Sequence, residues 1–393
     1  MRAERDTARP FVSSAVTRDE ALALVQRLLD TARRHELPQL MDMYADDAVA
    51  VSPVFGEVRG RQRIGATWQT LFEMFADLSV EVSDVLVEGD RIAVLSTVTT
   101  TDRVGWFGLP ATGGPIVYRL VLLLTVRGGR IVRDERIYDS TGLLERLEKM
   151  RIDKELRTAA DLQRMLLSRT MQTTGFCESV GHSVPCRAIG GDFFEFVDLP
   201  SGDIGIVMGD VSGKGPAAAL LAALVQGMFV SETPAGLGPA ETLRRVNQRL
   251  TARQLESRFA TLVYAVMTAD GRLTYSNAGH NPPVLLTSGG TRRLAIGGPM
   301  LGVFAGQAFE EEEVSVGDGD TLVMFTDGVT EARNSNDDEF GEDRLIACLD
   351  GGAAPAPGAL VDRIFAAVRA FCRDATQNDD ITVTVTRRLT RPA

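Results

Sequence analysis

Four short acidic turns most constrain how this chain can fold: Gly190-Gly191-Asp192, Gly209-Asp210-Val211-Ser212-Gly213-Lys214-Gly215, Thr326-Asp327-Gly328 and Asn378-Asp379-Asp380. Each adjoins a strand-like run. Residues 203–208 lead into Asp210, residues 321–325 lead into Asp327, and residues 381–386 leave Asp380 with β-branched alternation. Taken singly, an Asp-Gly pair is an ordinary reversal. Taken together, strand ends that carry carboxylates on glycine-relaxed turns can converge, because glycine removes the Cβ obstacle to close backbone approach. The pocket they would form is all oxygen. Hard cations such as Mn²⁺ or Mg²⁺ prefer that donor set, and two ions sharing a carboxylate can activate water for in-line attack on phosphorus, with no Ser or Cys nucleophile. Zinc would favour His or Cys, yet the only histidines are His35, His182 and His280, and none falls in these turns.

At 393 residues, the chain exceeds the size at which a single core usually keeps growing, so two domains are expected. Its net charge of -11 argues against a nucleic-acid partner, which would need clustered Lys and Arg. The opening MRAERDTARPFVSSAVTRDE lacks a secretory apolar block, and the apolar tract 217–230 is interrupted by Gln226. No membrane partner and a cytoplasmic location are therefore expected. Cys177, Cys186, Cys348 and Cys372 are widely scattered and predict buried free thiols.

Along the chain, residues 1–17 read as a disordered N-terminus. Helical spacing over 18–34 and a second helix over 37–44 precede strands at 80–87, 91–99, 116–126 and 130–138. Helices followed by an antiparallel meander predict an α+β domain with a curved sheet over residues 18–142. Residues 143–167 contain neither Gly nor Pro and predict a linker helix, either a coiled-coil seam with a phase break or a helix packed on one domain. The catalytic domain then occupies 168–393.

Residues 18–145 resemble the SnoaL-like branch of the nuclear-transport-factor-like superfamily. The resemblance is carried by Met43-Tyr44-Ala45-Asp46-Asp47-Ala48-Val49, Gly60-Arg61-Gln62-Arg63-Ile64, Leu109-Pro110-Ala111-Thr112-Gly113 and residues 131–139 with Thr141-Gly142-Leu143-Leu144. It implies a cone-shaped half-barrel serving as a small enzyme, a pocket for a small ligand or a dimerisation module. Asp134 and Tyr138 are positional candidates for an acid or base, with a purely structural role the preferred reading because fold alone confers no chemistry.

Residues 161–388 resemble PPM-type phosphatases of the bacterial SpoIIE-like branch. Besides the acidic turns, the resemblance rests on Phe193-Phe194, Pro216-Ala217-Ala218-Ala219-Leu220, Phe259-Ala260-Thr261-Leu262, Asn277-Ala278-Gly279-His280-Asn281-Pro282-Pro283, Val329-Thr330-Glu331-Ala332, Phe340-Gly341 and Ile381-Thr382. It implies an αββα sandwich with a binuclear metal site. By motif, Asp210 would bridge the ions, Asp192 and the Val211 carbonyl would complete one site, and Asp327 with Asp379 the other; Asp210 and Asp192 would be the catalytic pair holding the activated water. It also implies a phosphoserine or phosphothreonine substrate on an anti-anti-sigma protein of the STAS type. Control by the N-terminal domain, acting as a homodimer, follows from the domain order.

Rival readings are limited. A pseudophosphatase or scaffold would have lost a metal carboxylate, and none is lost. A diguanylate cyclase would need Asp-Glu directly after Gly190-Gly191, where Asp192 is followed by two phenylalanines. Lys214 could assist phosphate binding beside a helix start or simply be solvated. For His280, packing or turn hydrogen bonding is preferred over catalysis.

Overall fold

The computed structural model describes residues 15–106, 109–166, 170–254, 258–349 and 355–389. Packing divides the chain into two units, residues 1–155 and 156–393.

In the first unit, α1 (Arg18–Arg33) and α2 (Leu37–Met41) precede β1 (Tyr44–Ser52), β2 (Gly56–Arg59), α3 (Arg61–Met74), β3 (Ser79–Glu88), β4 (Arg91–Thr101), β5 (Pro115–Arg127), β6 (Arg130–Ile137) and α4 (Ser140–Leu166). Thr17 and Glu20 form a reciprocal capping box, and the Val16 N–H donates to the Gly89 carbonyl. Residues 15–17 are therefore ordered, contrary to the expected disordered terminus; residues 1–14 lie outside the described residues. The second helix stops at Met41 instead of reaching Tyr44, because Tyr44 starts a strand that pairs with Ile131 and buries its side chain. The sheet order is β2-β1-β6-β5-β4-β3, with β1 parallel to β6 and the remaining pairs antiparallel. The antiparallel meander expected over β3–β6 is present, and β1 and β2, absent from the predicted strands, extend it through one parallel pair. The polar run Ala45-Asp46-Asp47 conceals the strand character of β1. Leu24 and Leu28 of α1 and Ile64 of α3 pack on Val94, Leu124 and Ile131 of the sheet. Leu143 and Leu147 anchor the start of α4 among Phe75, Trp106 and Ile116, while Ile152, Leu162 and Met165 further along are exposed.

The second unit contains β7 (Met171–Thr173), β8 (Cys177–Val184), β9 (Phe193–Asp198), β10 (Ile204–Val211), α5 (Pro216–Glu232), α6 (Pro239–Thr251), β11 (Ala260–Met267), β12 (Arg272–Ala278), β13 (Val284–Thr287), β14 (Gly290–Arg293), β15 (Gly297–Gly298), β16 (Glu312–Ser315), β17 (Thr321–Phe325), α7 (Asp327–Thr330), α8 (Gly341–Leu349), α9 (Pro357–Cys372) and β18 (Ile381–Arg388). One sheet runs β15-β12-β11-β10-β9 with β16 also paired to β12, and the other runs β14-β13-β17-β18-β8-β7. Alternation along the strands builds three cores. Phe194, Phe196, Ile206, Met208, Leu322 and Met324 fill the space between the sheets. Phe193 and Val207 face α5 and α6, whereas Val323, Phe325, Val383 and Val385 face α8 and α9. The result is an αββα sandwich.

By length and apolar composition, the segment Pro216–Ala235 could cross a membrane, but Ala222, Val225 and Phe229 of α5 are built into the helix-facing core. Among the cysteines, Cys177 alone is buried; Cys186, Cys348 and Cys372 are free but only half-buried, since each lies near a loop or helix end.

Gly181 of β8 faces the Phe194 ring of the opposite sheet, and a Cβ on it would lie 2.4 Å from that ring. Gly181→Ala should therefore overpack the inter-sheet core and lower stability by about 1–3 kcal/mol. Urea unfolding checks this: an unchanged midpoint would show that the sheets separate without cost.

Candidate metal centre

The alternation that fills the inter-sheet core also aims the acidic turns. In β10, Ile204, Ile206 and Met208 face the opposite sheet, so Asp210 follows them onto the same face. Asp192 stands two residues before Phe194, and Thr326 two residues after Met324, in the same phase. Thr382 and Asp380 alternate with Ile381 and Val383, which face the other way. One end of the inter-sheet space thus collects polar groups where the strands run out of apolar ones.

Asp192 is buried, and its Oδ2 accepts hydrogen bonds from Thr326 Oγ1 at 2.7 Å and Thr382 Oγ1 at 2.6 Å. Burial and the neighbouring Asp210 hold its carboxyl well above the ordinary range, against the two hydroxyl donors. Burial, then Asp327, Asp379 and Asp380, push Asp210 from an ordinary 3.8 up to about 7, while a hydrogen bond from Asp192 opposes the rise. Asp327 is raised by burial, then by Asp379. Asp379 is more exposed; its Oδ2 lies 2.8 Å from Lys214 Nζ, which also donates to the Asn378 carbonyl. The Val211 carbonyl borders the Gly191 turn, where a Cβ would lie 2.9 Å from its oxygen.

Asp192, Asp210, Val211, Asp327 and Asp379 therefore gather at one end of the sandwich. Several carboxylates sharing one partly buried place, with Lys214 the ammonium paired to them at the rim, leave negative charge uncompensated. That charge and the all-oxygen donors fit hard divalent cations. Cys186 Sγ lies with Asp379 and Asp380 oxygens within 4.8 Å, and in the metal-free protein burial and then Asp380 push its thiol up to about 11. His280 is buried: its Nδ1 meets Thr261 Oγ1 at 2.8 Å, its N–H donates to Asn277 Oδ1 at 2.7 Å, and burial lowers its pKa to about 4. These contacts tie it into the turn that follows β12.

Four supporting residues escaped the sequence reading. Asp380 accepts from the Cys186 N–H at 2.7 Å and the Gly191 N–H at 2.6 Å, which pins the turn carrying Asp192. A Cβ on Gly190 would meet the Asp380 carboxylate at 2.4 Å, and one on Gly328 its carbonyl at 1.9 Å, so both glycines are there for close approach. Thr326 and Thr382 orient Asp192 as described. Gln163 of α4 donates to the Gly190 carbonyl at 2.7 Å and accepts from the Gly190 N–H at 3.1 Å. The threonines were legible from strand alternation, whereas Asp380 was given no role of its own beside Asp379 and Gln163 looked like any surface amide.

For the metal-free protein, the raised carboxyl pKa values fix a sign. A group at 3.8 unfolded and about 7 folded contributes stability that is complete below 3.8 and lost as pH rises through 7. Without metal, the melting temperature should fall between pH 5 and pH 8, and Mn²⁺ should raise it more at pH 8 than at pH 5. A metal-free melting temperature that rises across this window would contradict the crowding of carboxylates.

Comparison with known proteins agrees with this architecture. Residues 200–389 match the family described as Stage II sporulation protein E (SpoIIE), and residues 25–134 match the SnoaL-like domain. Protein IcfG of Synechocystis sp. is 30% identical over 232 residues, covering 51% of this chain and 36% of IcfG. Phosphoserine phosphatase RsbU of Bacillus subtilis is 29% identical over 241 residues, 60% of this chain and 71% of RsbU. The SiaA-PP2C domain of Pseudomonas aeruginosa, at 19% identity, superposes with a TM-score of 0.54 over 62% of this chain and 99% of that domain, a likeness of fold. The chain thus spans only about a third of IcfG but most of RsbU. It joins an N-terminal SnoaL-like domain to a C-terminal domain of the SpoIIE family of PPM-type phosphatases.

Proposed function

We propose that this protein is a Mn²⁺- or Mg²⁺-dependent serine/threonine protein phosphatase, acting in the cytoplasm on a phosphorylated regulatory protein of the STAS-type anti-anti-sigma class. The observation that carries the reading is the convergence of Asp192, Asp210, Asp327 and Asp379 at one end of the inter-sheet space. Two divalent ions, when bound, would supply Lewis acidity and acidified water for attack on phosphorus. The chain's own residues do the rest. Asp210, crowded by Asp327, Asp379 and Asp380, would be the carboxylate that both ions share. Asp192 with the Val211 carbonyl would hold one, and Asp327 with Asp379 the other. Thr326 and Thr382 fix the Asp192 rotamer, and Lys214, paired to Asp379 at the rim, would orient a phosphate oxygen. The substrate class is supported by the likeness to RsbU, itself named a phosphoserine phosphatase.

Activity on a phosphoserine protein should vanish with chelator and return with Mn²⁺. Asp210→Asn should lower the rate by more than about a hundredfold without unfolding, since even groups one step behind a metal ligand cost roughly ten- to a hundredfold. Turnover by a metal-stripped preparation, or a folded Asp210→Asn variant near the wild-type rate, would contradict the assignment.

Control by residues 18–142, acting as a homodimer, is the second part of the proposal. It rests on α4, which begins packed by Leu143 and Leu147 in the first unit and ends with Gln163 bonded to Gly190, two residues before Asp192. A continuous helix transmits rotation only if its ends stay in phase, at about 100° per residue. Inserting two alanines near Thr158 turns one end by roughly 200°, whereas seven nearly restore phase. Phosphatase rate should change with two and largely recover with seven; equal rates in all three proteins would make α4 a passive tether.

A further inference from the structure

Beside the metal end of the second unit lies a pocket that the metal chemistry leaves unused. Gly328 and Asp379, from two of the acidic turns, form part of its wall; Glu331 and Arg333 follow α7, and Arg369 and Arg373 come from the end of α9. The closed part measures about 170 Å³, and the whole void with its mouth about 590 Å³. Because Asp379 belongs to both places, whatever enters this pocket lies directly beside the metal end.

Charge defines what would fit. Arg333 is committed to Asp337 at 3.0 Å and Glu339 at 2.6 Å. Of the acids, Asp379 is paired to Lys214 at 2.8 Å, and Glu331, after burial and Asp379, adds to the rise of the Asp327 carboxyl. Both acids therefore belong to the field of the metal site. Arg369 and Arg373 are different: both are exposed, and neither has an ion pair among the described residues. In a chain with 53 acidic against 42 basic residues, acids to pair with are in surplus, yet these two guanidiniums stay free to hold a carboxylate bidentately.

The C-terminus of a helix favours cations, which accounts for Arg369 in the last turn of α9. It does not account for Arg373. That residue caps the helix at φ 50° and ψ −111°, a conformation that glycine adopts freely and a side chain resists. The chain thus keeps an arginine there against backbone strain, as is common where a side chain has work to do.

We propose that this pocket is a substrate-recognition subsite, in which Arg369 and Arg373 bind an acidic side chain flanking the phosphoserine of the protein substrate. The inference rests on the phosphatase reading above. An extended peptide advances about 3.3–3.6 Å per residue, so the acid lies within roughly three residues of the phosphoserine. The test uses the full chain with Mn²⁺ and phosphoserine peptides that differ only in carrying Glu, Gln or Lys at the three positions on either side. Para-nitrophenyl phosphate serves as a probe without flanking residues. The kcat/KM for the Glu peptide should exceed that for the Gln peptide roughly three- to tenfold, mainly through KM. The gap should narrow as added salt screens the charges. Arg369→Gln/Arg373→Gln should bring the ratio close to one, and Arg369→Glu/Arg373→Glu should reverse the order in favour of the Lys peptide, which loss of structure alone would not do. Arg373→Gly relieves the strained cap, so its melting temperature should rise while the Glu-to-Gln ratio falls. Metal-dependent hydrolysis of para-nitrophenyl phosphate with equal kcat/KM for the three peptides, or a ratio unmoved by these substitutions, would overturn the subsite and leave the phosphatase reading standing. No metal-dependent hydrolysis of that ester or of any peptide would overturn both.

Discussion

Like-charge crowding at the end of the inter-sheet space governs the catalytic half of this protein. Burial favours protonation of both Asp192 and Asp210; the charge of Asp210 adds to it at Asp192, and those of Asp327 and Asp379 add to it at Asp210. A chain could relieve this cost by pairing the acids with arginines or by exposing them. Here the fold does the reverse. Thr326 and Thr382 lock Asp192 in place, and Asp380 uses its carboxylate to bind the backbone of the turn that carries it. Such rigid placement makes sense if the compensating charge is external and divalent.

The supporting geometry follows from packing. Two sheets meet across Phe194, Ile206, Met208 and Met324, and the residue phase that buries these side chains points the next polar residues into the same gap. Gly190, Gly191 and Gly328 let backbone and carboxylate approach more closely than any Cβ would allow. A shift of one residue in β10 or β17 would send Asp210 or Thr326 to the helix-facing side, so strand register and metal geometry are the same constraint.

Much of this was legible in the sequence because it is local. Glycine-flanked acids at strand ends, and alternation in the runs before them, fix which carboxylates can converge. The role of Asp380 stayed hidden because its anchoring depends on Cys186 and Gly191, 194 and 189 residues away. In the N-terminal unit, β1 was hidden because it pairs in parallel with β6 through a partly polar edge that breaks alternation, and the neutral Asp134–Arg136 pair depends on Tyr44 from that strand. Non-local polar pairing, more than hydrophobic pattern, was what the sequence concealed.

The central claim is that these carboxylates form a ready-made two-ion site. Anomalous diffraction from crystals equilibrated with Mn²⁺ tests it most directly. The account predicts two manganese peaks flanking Asp210, one reached by Asp192 and the Val211 carbonyl and the other by Asp327 and Asp379. Peaks confined to the rim at Cys186, Asp379 and Asp380, or none in the inter-sheet gap at saturating Mn²⁺, would contradict it.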